Sequence, residues 1–316
     1  MSPEVVAARE MSWNEGSLHR WMGTRLAPRG LAGDYGNDAA VLARSLERAA
    51  LCTDQVIEGV HYEPGTAGAA VGRKAAGRVL SDLAASGARP RALLLALALG
   101  PGVDERWVRA LVQGVQRAGR EHGAELVGGD LSSAPAGVHV TVSGVGDSVP
   151  RRPVGRGRAR AGQLLVATGS FGGSGLGRHL RIVPRVAEGR WLAEAGATAM
   201  MDVSDGLALD LSRMARASGV RIDLEQVPLH RDARRAARRT GRSALDHALH
   251  DGEDHELLAT LPRKALRQVL ARAPRRCPGL TVIGLVRAGS GVRVPAAEDD
   301  PTLVRWRGSG GWVHGG

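Results

Sequence analysis

Two aspartates, Asp202 and Asp205, lie three residues apart in the stretch MDVSDGL at residues 201–207. Apolar residues lead into this stretch and others follow it at helical spacing, so the pair is expected where a strand turns into a helix, with Ser204 as the helix N-cap. Two carboxylates this close repel each other unless a cation, hydrogen bonds or water compensate them, which makes the pair a candidate magnesium site. A second interpretation stays open, in which Asp205 only caps the helix and Asp202 is solvated.

Four further aspartates stand at predicted strand ends or in a helix of small residues, namely Asp38, Asp54, Asp82 and Asp130. Asp130 follows two glycines, and paired glycines let a backbone turn approach phosphate oxygens closely. Carboxylates without clustered His or Cys select a hard cation, so Mg²⁺ is expected and zinc is not. Several magnesium ions beside glycine-rich backbone indicate a nucleoside triphosphate. The alternative, acid and base catalysis by two carboxylates as in a glycosidase, leaves the glycine-rich turns unexplained.

The elements that must position these residues alternate between strands and helices, which is typical of an α/β fold. Helices are predicted over 67–86, 104–122, 231–242 and 263–272, and strands over 49–53, 91–99, 125–127, 138–145, 164–168, 221–224, 280–286 and 292–294. Residues 149–162 are rich in Pro, Gly and Arg and predict a boundary between two domains, residues 1–150 and residues 151–316.

The composition indicates a globular protein with an excess of positive charge. The chain of 316 residues carries 43 Lys and Arg against 32 Asp and Glu, a formal charge of +11 that would suit a polyanion such as nucleic acid. Aromatic residues make up only 3%, and the basic cluster at 231–242 has helical spacing without aromatics, which favours a solvated helix face over an anion or nucleic-acid surface. The sequence shows no leader pattern and no apolar run of roughly 18 residues, so a soluble cytoplasmic protein is expected. Cys52 and Cys277 lie far apart and fit no zinc or redox pattern, so both are expected to be reduced thiols.

Six short motifs follow one another along the chain. They are GNDAA at 36–40, CTD at 52–54 with EGVHY at 58–62, LSDLAA at 80–85, GGD at 128–130, MDVSDGL at 201–207 and GEDHEL at 252–257. In order and content they resemble the motif set of the thiamine-monophosphate kinase family, which is grouped with aminoimidazole ribonucleotide synthetase, selenophosphate synthetase and the hydrogenase-maturation dehydratase. The resemblance runs from about residue 14 to the end of the chain.

The resemblance implies an α/β (α+β) fold with two domains of the aminoimidazole ribonucleotide synthetase-like type. The N-terminal domain, residues 1–150, would bind ATP and magnesium and pair with a second copy in a homodimer to complete a β-barrel, and residues 151–316 would form an α/β domain. ATP and Mg²⁺ would lie between the domains. The γ-phosphate would pass directly to thiamine monophosphate, giving thiamine diphosphate without a covalent intermediate, so no side chain would act as a catalytic group beyond positioning and metal assistance.

The resemblance also implies roles for individual residues. The matches to the magnesium ligands are Asp38, Thr53, Asp54, Asp82, Asp130, Asp202 and Asp205. The matches to the ATP contacts are Gly129, Asp130, Arg156 and Ser204, and those to the thiamine monophosphate contacts are His61, Glu253 and Trp312. Three alternatives stay open, namely Arg152 or Arg158 in place of Arg156, a surface role for His61 and terminal packing for Trp312.

The chain departs from the family pattern in several places. Asn37 replaces one of two adjacent acids, Cys52 stands where a hydroxyl is usual, Leu131 where threonine is common and His255 where tyrosine is usual. The connection at 177–184 is also shorter than is general in the family. Most of these departures fall on the acceptor side or at the edge of the metal site, so they bear on the acceptor more than on ATP.

Two other functions fit the same residues. One is another ATP-dependent enzyme of the superfamily with a different acceptor, and the other is a protein that binds nucleotide or nucleic acid through its arginine surface without turnover. The chain has neither an N-terminal Cys-x-x-Lys element nor a C-terminal cysteine, which disfavours selenium chemistry and the dehydratase reaction.

Overall fold

The computed structural model describes Trp21, Arg25 and residues 49–148, 154–308 and 310–311. Four positions singled out from the sequence lie outside the described residues, namely Asn37, Asp38, Arg152 and Trp312. The chain divides into two compact units, which are residues 1–79 with 90–145 and residues 80–89 with 146–316.

The first unit carries a four-stranded sheet and two long helices. In chain order these elements are β1 (Ala49–Ile57), α1 (Gly68–Ala85), β2 (Ala88–Leu99), α2 (Glu105–Glu121), β3 (Glu125–Ser133) and β4 (Val138–Ser148). The strand order across the sheet is β1-β4-β2-β3, and β2 runs parallel to β3. Burial alternates along β4 from Val138 to Asp147, as the sequence predicts for a half-exposed strand over residues 138–145.

Small residues allow α1 and α2 to pack with their backbones almost in contact. A Cβ atom at Gly72 of α1 would lie 2.0 Å from the carbonyl oxygen of Leu111 on α2, and one at Gly114 of α2 would lie 2.4 Å from the carbonyl oxygen of Ala69. No side chain fits at such distances, so glycine is required at both positions. The predicted helix of small residues is confirmed, and its composition follows from this close crossing.

Two of the predicted strand ends are wrong. β1 continues to Ile57, so Asp54 lies inside a strand, and β3 continues to Ser133, so Gly129 and Asp130 pair with β2 instead of forming a turn. A Cβ atom at Gly129 would lie only 1.8 Å from the carbonyl oxygen of Leu95, its partner on β2. This glycine therefore serves the close approach of two strands, which a sequence pattern of Gly-Gly-Asp does not distinguish from a turn.

The second unit is built on a seven-stranded mixed sheet in the order β11-β10-β7-β9-β5-β8-β6. Its strands are β5 (Leu164–Ala167), β6 (Ala199–Asp202), β7 (Arg221–Leu224), β8 (Leu257–Leu261), β9 (Thr281–Arg287), β10 (Gly291–Pro295) and β11 (Leu303–Arg305). Its helices are α3 (Val186–Glu194), α4 (Leu207–Ser218), α5 (Arg231–Thr240), α6 (Ala244–His250) and α7 (Arg263–Arg276). The pair β10 and β7 is parallel, and the other neighbouring strands are antiparallel.

The core of the second unit forms where α4 packs on the sheet. Leu207, Leu211 and Met214 are fully buried at helical spacing, against strand residues that include Leu165 and Ile222. This spacing is the one that the sequence predicts. The short elements α6, with 7 residues, and β11, with 3 residues, escape prediction because so few residues give no clear periodicity.

The arginine-rich helix α5 faces solvent. All six arginines between residues 231 and 242 are exposed, and three of them form ion pairs with nearby acids, which are Arg234 with Glu298, Arg235 with Asp232 and Arg242 with Asp246. These pairings agree with the solvated helix face expected from the sequence. In the described part of the chain, no helix is both long and apolar enough to cross a membrane.

Candidate active site

The turn that carries Asp202 and Asp205 joins β6 to α4, as the sequence predicts. The predicted N-cap at Ser204 is wrong, because α4 begins at Leu207 and Gly206, with φ 116°, occupies the cap position without a side-chain cap. The amides of Ser204 and Asp205 instead donate to Oδ2 of Asp210, at 3.1 and 2.9 Å. A buried carboxylate inside the helix therefore satisfies two amide donors of the turn that precedes the helix.

Asp202 lies at the end of β6 in a polar, mostly buried environment. Its Oδ2 accepts from the hydroxyl of Ser81 at 2.7 Å and lies 3.1 Å from Nδ1 of His255. His255 is itself buried and has a positive φ of 52°, and its Nε2 has no hydrogen-bond partner among the described residues. Because an ionised carboxylate can only accept, Nδ1 of His255 is the donor in this contact. The departure from tyrosine at this position thus affects the surroundings of Asp202.

Asp205 is paired with an arginine of the following helix. Nη1 of Arg213 contacts Oδ2 of Asp205 and also donates to Oδ1 of Asp210 at 2.8 Å. Asp210 is completely buried, and this burial raises the pKa of its carboxyl group to about 7. Asp210 and Arg213 are not predicted as site residues from the sequence, although their spacing of three residues on a predicted helix is compatible with an ion pair.

Glu253 is joined to the same turn through the backbone. Its amide donates to the carbonyl oxygen of Ser204 at 2.7 Å, and the amide of His255 donates to the carbonyl oxygen of Val203 at 2.8 Å. Glu253 has a positive φ of 50°, an uncommon conformation for a residue other than glycine. The motifs at 201–207 and 252–257 are therefore held together by main-chain hydrogen bonds.

The remaining predicted residues of the second unit are Asp82 and Arg156. Asp82 is half-buried near the end of α1, next to the fully buried Ser81 that contacts Asp202. Arg156 is exposed, and its carbonyl oxygen accepts from the hydroxyl of Ser218 at 2.9 Å. That bond fixes the backbone of Arg156 and leaves its side chain on the surface.

In the first unit, Asp54 is held by a two-pronged ion pair. Nε of Arg78 donates to Oδ2 at 2.7 Å and Nη2 donates to Oδ1 at 3.0 Å, while the amide of Gln55 also donates to Oδ1 at 2.7 Å. The neighbouring hydroxyl of Thr53 donates to the carbonyl oxygen of Val142 at 3.3 Å and accepts from Ser143 at 3.0 Å. The sequence gives no sign of the pair, because Arg78 and Asp54 are 24 residues apart.

His61 lies in the turn after β1 and is held from two sides. Its Nδ1 accepts from the amide of Ile57 at 3.1 Å, and its carbonyl oxygen accepts from Nζ of Lys74 at 2.5 Å. Lys74 is completely buried. A buried ammonium group needs such an acceptor, so this lysine and the turn of His61 stabilise each other.

The chemistry of the donor set fits magnesium, because the candidate ligands present carboxylate and hydroxyl oxygens only. Among the residues that the structure describes, no group of three or more His, Cys, Asp or Glu side chains has the arrangement of a metal site. Two of the candidate acids, Asp54 and Asp205, are compensated by arginine instead.

Comparison with known proteins identifies relatives over both units. Residues 36–147 match the family described as AIR synthase related protein, N-terminal domain, and residues 160–296 match AIR synthase related protein, C-terminal domain. Thiamine-monophosphate kinase of Rhodopirellula baltica is 36% identical over 249 residues, which cover 74% of this chain and 77% of the relative. That of Aquifex aeolicus is 31% identical over 301 residues, which cover 88% of this chain and 92% of the relative.

A solved structure gives the same result for the fold. The structure described as AaThiL complexed with AMPPCP and TMP has a TM-score of 0.71 at 31% identity, covering 81% of this chain and 86% of that chain. The mixed α/β, two-domain fold of the AIR synthase related proteins is therefore present here. The chain belongs to the thiamine-monophosphate kinase family of the AIR synthase related proteins, and it is a phosphotransferase of that family.

Proposed function

We propose that the chain phosphorylates thiamine monophosphate with ATP to give thiamine diphosphate. The γ-phosphate passes directly from one substrate to the other, and several magnesium ions assist. The observation that carries the proposal is the match to thiamine-monophosphate kinases along most of the chain. A relative in complex with AMPPCP and TMP supports it further.

Transfer between two phosphates is a problem of positioning and charge compensation. The reacting groups all carry negative charge, so the site needs cations and fixed hydrogen-bond donors more than a nucleophile or a base. Mg²⁺, when bound, would offset the negative charge of the phosphates. We assign its oxygen ligands to Asp38, Thr53, Asp54, Asp82, Asp130, Asp202 and Asp205, and the ATP contacts to Gly129, Asp130, Arg156 and Ser204.

We assign the contacts to thiamine monophosphate, which accepts the phosphoryl group, to His61, Glu253 and Trp312. Glu253 and Ser204, which we assign to different substrates, are joined by the 2.7 Å backbone hydrogen bond from the amide of Glu253. Neighbouring contacts to the two substrates suit a direct transfer, because the reacting phosphates must meet without an intermediate carrier. The two bonds that hold His61 in its turn reduce the entropy lost when it contacts the substrate.

We further propose that residues 1–150 form the ATP-binding, magnesium-binding and dimerisation domain, that residues 151–316 form the C-terminal domain, and that the protein is a homodimer. The four-stranded sheet is open, with β1 and β3 at its edges, and Leu51 on β1 is 74% exposed. An open edge strand with an exposed apolar side chain is a favourable surface for pairing with another strand. A second copy would close the sheet into the barrel expected from the family resemblance.

The test is a reaction of the purified chain with ATP, MgCl₂ and thiamine monophosphate, followed by mass spectrometry of the products. Thiamine diphosphate is expected, with one ADP formed for each product molecule. Free thiamine, which offers a hydroxyl group in place of the phosphate, should give no product.

A pair of variants controls for nonspecific damage. Asp202→Asn is expected to lose activity. Asp223 is a buried carboxylate that pairs with Arg221 on β7, and Asp223→Asn is expected to keep the activity. If the native chain binds ATP but makes no thiamine diphosphate, the assignment of thiamine monophosphate as the phosphoryl acceptor is wrong. Phosphorylation of free thiamine at a comparable rate would contradict transfer from phosphate to phosphate.

A further inference from the structure

Two acids that we assign to magnesium, one in each unit, are already compensated by an arginine. We propose that Arg78 and Arg213 are resident counter-ions of Asp54 and Asp205, which hold these carboxylates in the metal-free protein and compete with Mg²⁺ for their oxygens. This inference rests on the proposed assignment of Asp54 and Asp205 as magnesium ligands, and it adds that two arginines limit the affinity of these acids for Mg²⁺.

The pair of Arg78 with Asp54 uses most of the acceptor capacity of the carboxylate. A carboxylate offers about four acceptor sites, and three are taken here by Nε and Nη2 of Arg78 and by the amide of Gln55. The two side chains are only 12% and 24% exposed, so water screens their attraction less than on an open surface. A metal ion that binds Asp54 must therefore share the carboxylate with this guanidinium or displace it.

Arg213 is also held by a second carboxylate, which is not a proposed metal ligand. Its Nη1 contacts Asp205 and Asp210 together, and Asp210 is fixed by the amides of Ser204 and Asp205. Because Asp210 holds the guanidinium independently, Arg213 can release the Asp205 carboxylate without leaving its position on α4. The carboxylate is thus compensated in the absence of metal and remains accessible to one.

Charge explains why such partners are useful. Acids that bind a divalent cation repel one another when it leaves, and an arginine that is always protonated removes this repulsion. The consequence is that free Mg²⁺ meets an acid whose charge is already neutralised. Removing the guanidinium charge should therefore strengthen the binding of Mg²⁺ in the absence of nucleotide, whereas a lysine at the same position should not.

The test is a calorimetric titration of the full chain with MgCl₂, without ATP or thiamine monophosphate. Arg78→Gln and Arg213→Gln are each expected to bind Mg²⁺ about tenfold more tightly than the native chain, since a competing positive charge is gone. Arg78→Lys and Arg213→Lys keep that charge and should stay within about threefold of the native affinity. The control is Arg73→Gln, which removes an equal charge from α1 where Arg73 pairs with Glu121, and it should change nothing.

The outcome separates this inference from the proposed function. Unchanged or weaker Mg²⁺ binding in both glutamine variants would overturn the counter-ion role. If a glutamine variant does not fold, its lysine variant still decides the matter, because a tenfold change with the charge retained would overturn the role as well. The assay contains no acceptor, so failure of the native chain to make thiamine diphosphate would be seen separately and would concern only the substrate.

Discussion

Asp210→Ala is expected to loosen the turn that carries Ser204 and Asp205. The change removes the acceptor of two backbone amides and of one guanidinium hydrogen bond in a completely buried position. A buried donor that loses its partner costs about 1–3 kcal/mol, so the three donors suggest a loss near the top of that range or above it. Burial raises the pKa of this carboxyl group to about 7, which shows that the charge is itself unfavourable there and offsets part of the loss. We expect a net decrease in the free energy of unfolding of about 2 kcal/mol.

Function should change along with stability, and a matched variant separates the two. Asp223→Ala also removes a buried carboxylate that accepts from an arginine, Arg221, at 2.9 and 3.1 Å, but on β7 and away from the turn. Urea denaturation without Mg²⁺ should give similar losses for both variants, while only Asp210→Ala should raise the KM for ATP, by about fivefold or more. Equal KM values in the two variants, or a stability loss below about 0.5 kcal/mol for Asp210→Ala, would refute the reasoning.

Three further outcomes are expected. Burial raises the pKa of Asp254 from 3.8 to about 7, so the stability that its protonated form contributes is complete below its unfolded pKa and is lost as the pH rises through 7. Between pH 5 and 8 the native chain should lose about 2 to 3 kcal/mol more than Asp254→Asn in denaturant titrations, and parallel pH profiles of the two proteins would contradict this. Gly129→Ala would bring a Cβ atom to 1.8 Å from a carbonyl oxygen and should lower the free energy of unfolding by more than about 3 kcal/mol. Gly128→Ala, whose Cβ atom would have its nearest neighbour at 3.5 Å, should be tolerated, and equal Tm values of the two variants in thermal denaturation would contradict this. His255→Leu removes the imidazole donor from Asp202 and should lower kcat/KM about tenfold. His255→Asn keeps a donor near the position of Nδ1 and should lower kcat/KM less, so equal decreases in the two variants would argue against a role for the hydrogen bond.

Periodicity in the sequence was sufficient for the long elements. The helix α1, the helix α4 with its buried Leu211 and the alternating strand β4 follow from local patterns that extend over about eight residues or more. The position of Asp202 at the end of a strand also follows from such a pattern. These features depend on neighbours within the same element, and a single sequence contains that information.

Contacts between distant residues are the part that a single sequence does not contain. The extension of β3 through Gly129 depends on the carbonyl oxygen of Leu95, and the compensation of Asp54 depends on Arg78. In the same way, Ser204 is compatible with an N-cap in the sequence, but Asp210 holds the amides of Ser204 and Asp205 in a turn and the helix begins only at Leu207. Each of these outcomes is decided by the partner that tertiary packing supplies, and local propensity then has little weight.

The burial of Lys74 has a practical consequence for chemical labelling. Lysine occurs only at positions 74 and 264, although the chain has 43 lysine and arginine residues in total. Lys74 is completely enclosed, and Lys264 on α7 is exposed. Reagents that acylate primary amines should therefore modify only one lysine side chain of the native fold. Once the α-amino group of the chain is blocked, a fluorophore or a surface tether can be attached at that defined point of the second unit without changing the sequence.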